Sequence, residues 1–351
     1  MTHSAKVAVA GVGNNISALA QGIRYYADLA AQGVPPEDFP GIGRPEIGGL
    51  RVYDVGIVAA YDIDEAKIGA ELNEAVFRAP NNYPRLGVEM APTGVVVERG
   101  IGRDTDAEDE IGRIAASLRD SGAEVLLYSL PTGLQWAATA YAEAALAAGV
   151  AFVNCTPEIV GRDEQLHARY VSAGVPLVGD DLASHLGTSV VHRALLALFA
   201  ERGISLDSSY QLNLGGNEDF RNLREQGASK RQSKLNALAQ DGVPLDRVDV
   251  IPSAGYVPHL MDHKVAYLNI TGAGWANTPV EMDLKLRVQD SSNAAGVIID
   301  LIRIAAAALR ADEKGFVAAA ARLLKSPPKG HPSYSAHDVE ASFAAITPSA
   351  S

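Results

Sequence analysis

The chain has 351 residues, 47% of them hydrophobic and only 6% aromatic, which is enough for a substantial core in one or two domains. A formal net charge of −12 argues against nucleic-acid binding and against a surface built for anionic membranes, yet leaves room for a local basic cleft that takes an anionic small molecule. Cys155 is the single cysteine, so no intrachain disulfide can form. No run near the roughly 20 apolar residues of a membrane span and no signal-like N-terminus is read, so a soluble, cytoplasmic protein is expected.

In chain order, strands are predicted at 6–10, 55–61, 94–97, 124–130, 150–154 and 176–179. Helical periodicity fills the intervals at 16–31, 65–77, 107–120, 134–148, 163–173 and 184–202. Strands alternating with helices, several of them continuous Val/Ala/Leu runs, predict an α/β fold with a doubly wound, mostly parallel Rossmann sheet. Near residue 205 the pattern changes. Over 279–290, Val280, Met282, Leu284, Leu286 and Val288 alternate with Glu281, Asp283, Lys285 and Arg287, a period of two that predicts an antiparallel strand with one wet face. Segments 210–214 and 263–270 are its expected neighbours. The expected division is therefore a Rossmann domain over 1–204, completed by 291–351, with an inserted α+β domain over 205–290 carrying an antiparallel or mixed sheet. Helices are expected to return at 294–309 and 313–324, and the Pro/Ser/Ala-rich end of the tail is expected to be mobile.

The first strand runs into Gly11-Val12-Gly13-Asn14-Asn15, and a helix follows. Glycines there allow a tight turn and close approach of backbone to a pyrophosphate, whose charge then meets the helix N-terminus. Asp62 ends the next long strand, where a carboxylate accepts from ribose hydroxyls and repels a 2′-phosphate, favouring NAD over NADP. Glycine-rich residues 33–49 account for the long spacing between the turn and Asp62. Lys230 and Lys234 are four apart and share a helix face, Lys264 opens an apolar strand, and Lys325 precedes Ser326-Pro327-Pro328. Taken singly, each lysine reads more readily as structural or surface charge than as catalytic. Asp180-Asp181 and Asp290-Ser291-Ser292-Asn293 lie at strand-to-helix junctions, where capping is the plain alternative. The histidines show no metal-ligand spacing, so no metal site is expected.

Several segments resemble the myo-inositol-1-phosphate synthases of the shorter prokaryotic type. They are Gly-Val-Gly-Asn-Asn at 11–15, Ala-Ala-Tyr-Asp-Ile-Asp at 59–64, residues 91–100, Val-Gly-Asp-Asp-Leu at 178–182, Gln-Leu-Asn-Leu-Gly-Gly-Asn at 211–217, Ser-Lys-Arg-Gln-Ser-Lys at 229–234, residues 290–300 and Leu-Lys-Ser-Pro-Pro at 324–328. The resemblance runs in order from about Lys6 to Pro328. It implies an NAD-dependent isomerase that converts D-glucose 6-phosphate to an inositol phosphate by oxidation at C5, enolisation, aldol closure onto C1 and re-reduction, with no net redox change. It further implies that Lys230 and Lys325 flank the C5 oxygen, and that Lys234 and Lys264 meet phosphate and the developing alkoxide. Ser184, Gly187 and Thr188 would bind phosphate, and Asn217, Asp180, Asp181 and Asp290 would place the nicotinamide or the lysines. Gly11, Gly13, Asn14, Asn15 and Asp62 would bind NAD. A homotetramer, no nucleic-acid partner and no membrane partner are also implied, and a cation requirement stays open. Two departures bear on substrate. Ala183 stands where the family commonly has lysine in Asp-Asp-[Ile/Leu]-Lys-Ser, followed here by Ser184 and His185, and the loop before 229–234 is short. Those departures keep open a five-membered cyclitol phosphate synthase acting on fructose 6-phosphate, and a non-catalytic NAD-binding paralogue or a dehydrogenase stands behind it.

Overall fold

The continuous apolar runs become strands buried on both faces. A computed structural model describes residues 4–103, 106–239, 243–328 and 336–347, apart from the side chains of 224–227 and 336–339. In order come β1 (Ala5–Ala10), α1 (Asn14–Ala31), the hairpin β2 (Glu46–Ile47) and β3 (Leu50–Arg51), β4 (Val55–Asp62) and the single turn α2 (Leu72–Ala75). They are followed by β5 (Val97–Arg99), α3 (Ala107–Asp120), β6 (Val125–Tyr128), α4 (Gln135–Ala148), β7 (Ala151–Asn154), α5 (Glu164–Ala173), β8 (Pro176–Val178) and α6 (Thr188–Glu201). The helix ends were legible because their caps are local. Asp106 and Asp163 accept backbone N–H groups at the starts of α3 and α5, and Gly149 and Gly174 close α4 and α5 in the left-handed conformation.

The second part supplies β9 (Ser205–Gly215), α7 (Glu218–Ala239), β10 (Val248–Tyr256), β11 (His263–Ala273), β12 (Pro279–Gln289), α8 (Asp290–Arg310), β13 (Gly315–Phe316) and α9 (Ala336–Ala345). The first sheet has seven parallel strands in the order β13-β8-β7-β6-β1-β4-β5, so the strand order reverses between β1 and β6. A crevice at the carboxyl ends of the strands is expected at that reversal. The alternation along β6 divides the core. Val125 and Leu127 join α1 and α8 on one face, while Leu126 and Tyr128 join α3 and α4 on the other.

A second sheet has the order β10-β9-β11-β12, with β10 parallel to β9 and the rest antiparallel. β11 and β12 pair without a shift from His263 opposite Gln289 to Ala273 opposite Pro279, as the period of two required. Helices α6 and α7 cover one face through Leu196, Phe199, Leu235 and Leu238 against Val248, Val250 and Ile270.

Three expectations need correction. Residues 65–77 form one short turn of helix, because Gly69 takes φ +78° and the amides of Gly69 and Leu72 bond to Val97 and Val95. Residues 313–324 are not an α-helix: Gly315 at φ +64° admits β13 beside β8, and Ala318–Leu323 is a 3₁₀ turn. The strand placed at 94–97 lies later, at Val97–Arg99, as the edge partner of β4. The tail contains α9, with Phe343 and Ile346 packed on the core. Helix α8 is also apolar enough over 21 residues to pass for a membrane span, but it is mostly buried against the chain's own sheet. Its Arg303, fully buried, donates to the carbonyls of Arg44, Pro45 and Leu50 and so ties down the β2–β3 hairpin.

Candidate active site

The crevice between β1 and β6 opens into a cavity of about 300 Å³ that runs on to the start of α6 and to α7, β11 and α8. At its first end Gly11 has φ +92°, and a Cβ there would lie 2.7 Å from the Ser129 carbonyl oxygen. Helix α1 begins beyond Gly13 with no side-chain cap and no acid in its first turn, so its first amides are open to an anion. Gly11, Gly13, Asn14, Asn15 and Asp62 all line this end. Asp62 accepts from the amides of Val12 (2.7 Å) and Asp64 (3.0 Å). Buried Lys67 stands 3.7 Å away and donates to the Val12 carbonyl and to Asn81. The Asn14 amide is committed within the protein, to Asn82 and Asp262. These features fit a dinucleotide's pyrophosphate and ribose. Gly11→Ala is expected to weaken dinucleotide binding and lower the melting temperature, because the left-handed backbone and the 2.7 Å contact together cost on the order of 1–3 kcal/mol. Calorimetry and a thermal melt on the same sample would check both.

At the other end the four predicted lysines line the same cavity. Lys230 and Lys234 come from α7, Lys264 from β11, and Lys325 from the segment after Ala318–Leu323. That segment is held by backbone pairing: the Lys325 amide donates to Asp181 O (2.7 Å), and Asp180 and Ser326 exchange two bonds. The Lys325 ammonium thus lies 3.0 Å from the Asp181 carboxylate, and Lys230 lies 3.5 Å from it on the other oxygen. Ser233 adds a hydroxyl to Asp181 at 2.7 Å. Lys264 pairs with Asp290 at 3.3 Å, and Asn217 donates to Asp290 at 3.2 Å.

Burial alone would raise Asp181, but Lys230 and Lys325 together outweigh it and hold the carboxyl at about 2. Lys325 is pushed down to about 8 by burial, against the pull of Asp181. Lys230 is also buried, but Asp181, Asp219, Asp290 and Glu158 outweigh that and hold it above the ordinary lysine range. Lys234 differs in kind. Its ammonium meets only neutral oxygens, Thr188 Oγ1 (2.9 Å), Gln211 Oε1 (3.0 Å) and Asn213 Oδ1 (3.5 Å), and no ion pair is formed among the described residues. Burial, reinforced by Lys264, Lys325 and Lys230, drives it well below the ordinary value. The arrangement therefore combines one fixed cation with two lysines from which a proton is readily moved.

Ser184, Gly187 and Thr188 line the cavity at the uncapped N-terminus of α6, with Ser189, whose buried hydroxyl has no partner among the described residues. That end suits a phosphate. Asp181, Asp290 and Asn217 line the cavity, but Asp180 does not. Its fully buried carboxylate accepts from the Gly161 amide (2.8 Å), Arg162 Nε (3.0 Å) and Asn154 (2.8 Å), and so anchors the 160–162 loop. His185 packs behind the site against Gly296. Sequence reasoning missed Lys67, Gln211 and Asp262. Asp262 is fully buried, takes the hydroxyl and amide of Ser291 and the Asn14 amide group, and so joins α1, β11 and the start of α8. No spacing marks it, because its partners come from three distant segments.

Residues 187–291 match the model of the family described as myo-inositol-1-phosphate synthase. The inositol-3-phosphate synthase of Mycolicibacterium smegmatis is 39% identical over 345 residues, covering 92% of this chain and 93% of that protein. The crystal structure of Ari2 shares 62% identity and superposes with a TM-score of 0.88 over 98% of both chains. A myo-inositol-1-phosphate synthase-related protein from Thermotoga maritima, only 22% identical, has the same fold at a TM-score of 0.81 over 98% of this chain and 97% of that one. Identity of 39% sustained across more than nine-tenths of both sequences is common descent and not merely common architecture, and the chain belongs to the myo-inositol-1-phosphate synthase family.

Proposed function

We propose that the protein is an NAD-dependent, redox-neutral cyclase of a hexose 6-phosphate, converting D-glucose 6-phosphate to an inositol phosphate. The observation that carries this reading is the convergence of Lys230, Lys234, Lys264 and Lys325 on one cavity that also contains the dinucleotide turn. NAD supplies a reversible hydride acceptor at the substrate's C5. Lys325, lowered to about 8, takes the proton of the C5 hydroxyl as the hydride leaves, so that a ketone forms, and it returns that proton at the final reduction. The fixed charge of Lys230 stabilises the oxygen of that ketone and of the enolate formed when neutral Lys234 takes a C6 proton, which it later returns to the C1 oxygen. Carbon 6 then bonds to C1, and the C1 oxygen receives its proton from the Lys234–Lys264 side of the cavity. The α6 N-terminus with Ser189 binds the phosphate, and Asp181 and Asp290 hold three of the lysines in place. Residues 205–290 form the catalytic and assembly unit of a homotetramer in this reading. The exposed Tyr210, Ile251 and Tyr267 on the outer face of the second sheet support that role.

Incubating the protein with NAD and glucose 6-phosphate and identifying the product by NMR tests the proposal. An inositol phosphate without net NADH is the expected result. Steady NADH accumulation would make the protein a dehydrogenase, and no turnover of any hexose phosphate would make it a non-catalytic paralogue. A second reading, a five-membered cyclitol phosphate formed from fructose 6-phosphate, is favoured by Ala183. It stands where the family commonly has lysine, two residues from Asp181 and beside cavity-lining Ser184. The 62% identity to Ari2, against 39% to the M. smegmatis synthase, is in line with a separate branch. Fructose 6-phosphate in a parallel tube separates the two.

NAD is expected to bind at least about tenfold more tightly than NADP, read by calorimetry. Asp62 would repel a 2′-phosphate, and Lys67 is already engaged by the Val12 carbonyl, Asn81 and Asp62, so it offers no compensating cation. Equal binding would remove Asp62 from this role.

A further inference from the structure

Behind Lys234, away from the cavity, lies a chain of fully or nearly buried polar side chains that the proposed chemistry does not use. His192 is on α6, and Ser209 and Gln211 project from the same face of β9 two residues apart. The backbone carbonyl of Asn269 on β11 accepts the Ser209 hydroxyl at 2.8 Å. The single hydroxyl proton is thereby committed, so Ser209 Oγ accepts from His192 Nε2 at 2.6 Å. An imidazole that is neutral and protonated on Nε2 has a bare Nδ1, which accepts from Gln211 Nε2 at 3.2 Å. The amide group of Gln211 therefore faces the histidine, and its oxygen faces Lys234 at 3.0 Å. Each link leaves the next only one orientation, starting from a backbone carbonyl that cannot turn.

We propose that His192 is a positioning residue for Lys234: the Asn269–Ser209–His192 chain locks Gln211 with its carbonyl oxygen, rather than its NH2 group, toward the ammonium. The inference rests on the proposed cyclase reading only for what Lys234 then does to substrate. Orientation matters here because Lys234 has no carboxylate partner among the described residues. With Thr188 giving its own proton to Asn213, three neutral oxygens accept every hydrogen bond the cation makes among the described residues. A reversed Gln211 would aim a donor at a donor. Protonation of His192 would do the same by removing its acceptor, and burial, helped by the charge of Lys234, lowers the imidazole to about 4, which keeps it neutral. The other charges that act on Lys234 are Lys264, Lys325 and Lys230, which oppose its protonation, and Asp181, which favours it. None of these belongs to the relay.

The test follows the Lys234 ammonium directly, in the NAD-loaded protein labelled with ¹³C at lysine Cε. The Lys234 resonance is assigned by its loss in Lys234→Met. In His192→Phe, Lys234 is expected to titrate at lower pH than in the parent. Turnover should fall about tenfold, the effect of one neutral hydrogen bond, with the KM for NAD unchanged. Ser209→Ala, a smaller change that frees the tautomer, should shift Lys234 in the same direction by less, and serves if the first variant does not fold. A folded variant in which Lys234 titrates as in the parent overturns the proposal. A parent protein that turns over no sugar phosphate, yet shows the shift on substitution, would instead sink the cyclase reading and leave the relay standing.

Discussion

Lys325→Ala is expected to lower kcat by about 10²–10³-fold with little change in NAD affinity, the usual cost of losing one placed charged group at a reacting oxygen. The expectation comes from where Lys325 sits. Its ammonium is 3.0 Å from Asp181, its own amide is bonded to the Asp181 carbonyl, and it is the lysine that burial lowers to about 8. A group that takes the proton of the C5 hydroxyl must be neutral first. The rate in the parent should therefore rise as pH increases through about 8, and level off above it. Lys325→Arg keeps the charge but cannot lose it, so it should be slow and should lack this limb. A variant with full turnover, or one that loses NAD binding in step with activity, would remove Lys325 from the proton-transfer role. Steady-state kinetics over pH 6–10 beside calorimetry with NAD separates these outcomes.

Asp181→Asn is expected to destabilise the protein by about 3–5 kcal/mol, the range for removing one partner from a buried ion pair. Asp181 is fully buried and serves two ammonium groups at once, so the neutral amide leaves Lys230 and Lys325 without their shared counter-charge. The shape is preserved and the Ser233 contact can persist, which makes the loss electrostatic. The carboxyl is held at about 2, below its ordinary 3.8, so its contribution is present in full above pH 3.8 and is lost as pH falls towards 2. The gap in unfolding free energy between parent and variant should therefore narrow over that window. Removing the carboxylate also removes what supports the protonated form of Lys325, so any remaining activity should show its rising limb at lower pH. Denaturant melts of both proteins at pH 7 and near pH 2.5 check the first point, and the rate profile checks the second. A variant as stable as the parent at neutral pH would show that the two lysines do not depend on Asp181.

Much of the architecture is written locally. The β1 run Ala-Lys-Val-Ala-Val-Ala, the glycine turn after it and the capping aspartates Asp106 and Asp163 need only their neighbours in sequence to be read. The alternation of β12 is equally local, because a half-exposed strand must change face at every residue. Where periodicity misled, a glycine with positive φ decided otherwise: Gly69 and Gly315 break two apolar, helix-like stretches into short turns and an edge strand. Residue type alone does not say which glycine will take that conformation, because the neighbouring strand that rewards it is supplied by the fold.

The lysines show the same division. Their types, and the four-residue spacing of Lys230 and Lys234, are visible in the chain, and family resemblance singled them out. Nothing local distinguishes Asp180 from Asp181, yet one anchors a loop and the other holds two lysines. Successive residues point in opposite directions, and only the packing of 160–162 on one side and 324–326 on the other assigns the faces. Lys67, Gln211, His192 and Asp262 were not legible because each acts through at least one partner 19 to 248 residues away, as in Gln211 to His192, Lys67 to Val12 and Asp262 to Asn14. By itself the sequence determined most of the secondary structure, the parallel sheet with its glycine turn and the stock of cations, since these depend on short-range sterics and hydrophobic alternation. Only the tertiary structure decided which cations share a carboxylate and which stands among neutral oxygens. Those energies depend on burial and on distances of a few ångströms between segments that meet only when the chain is folded.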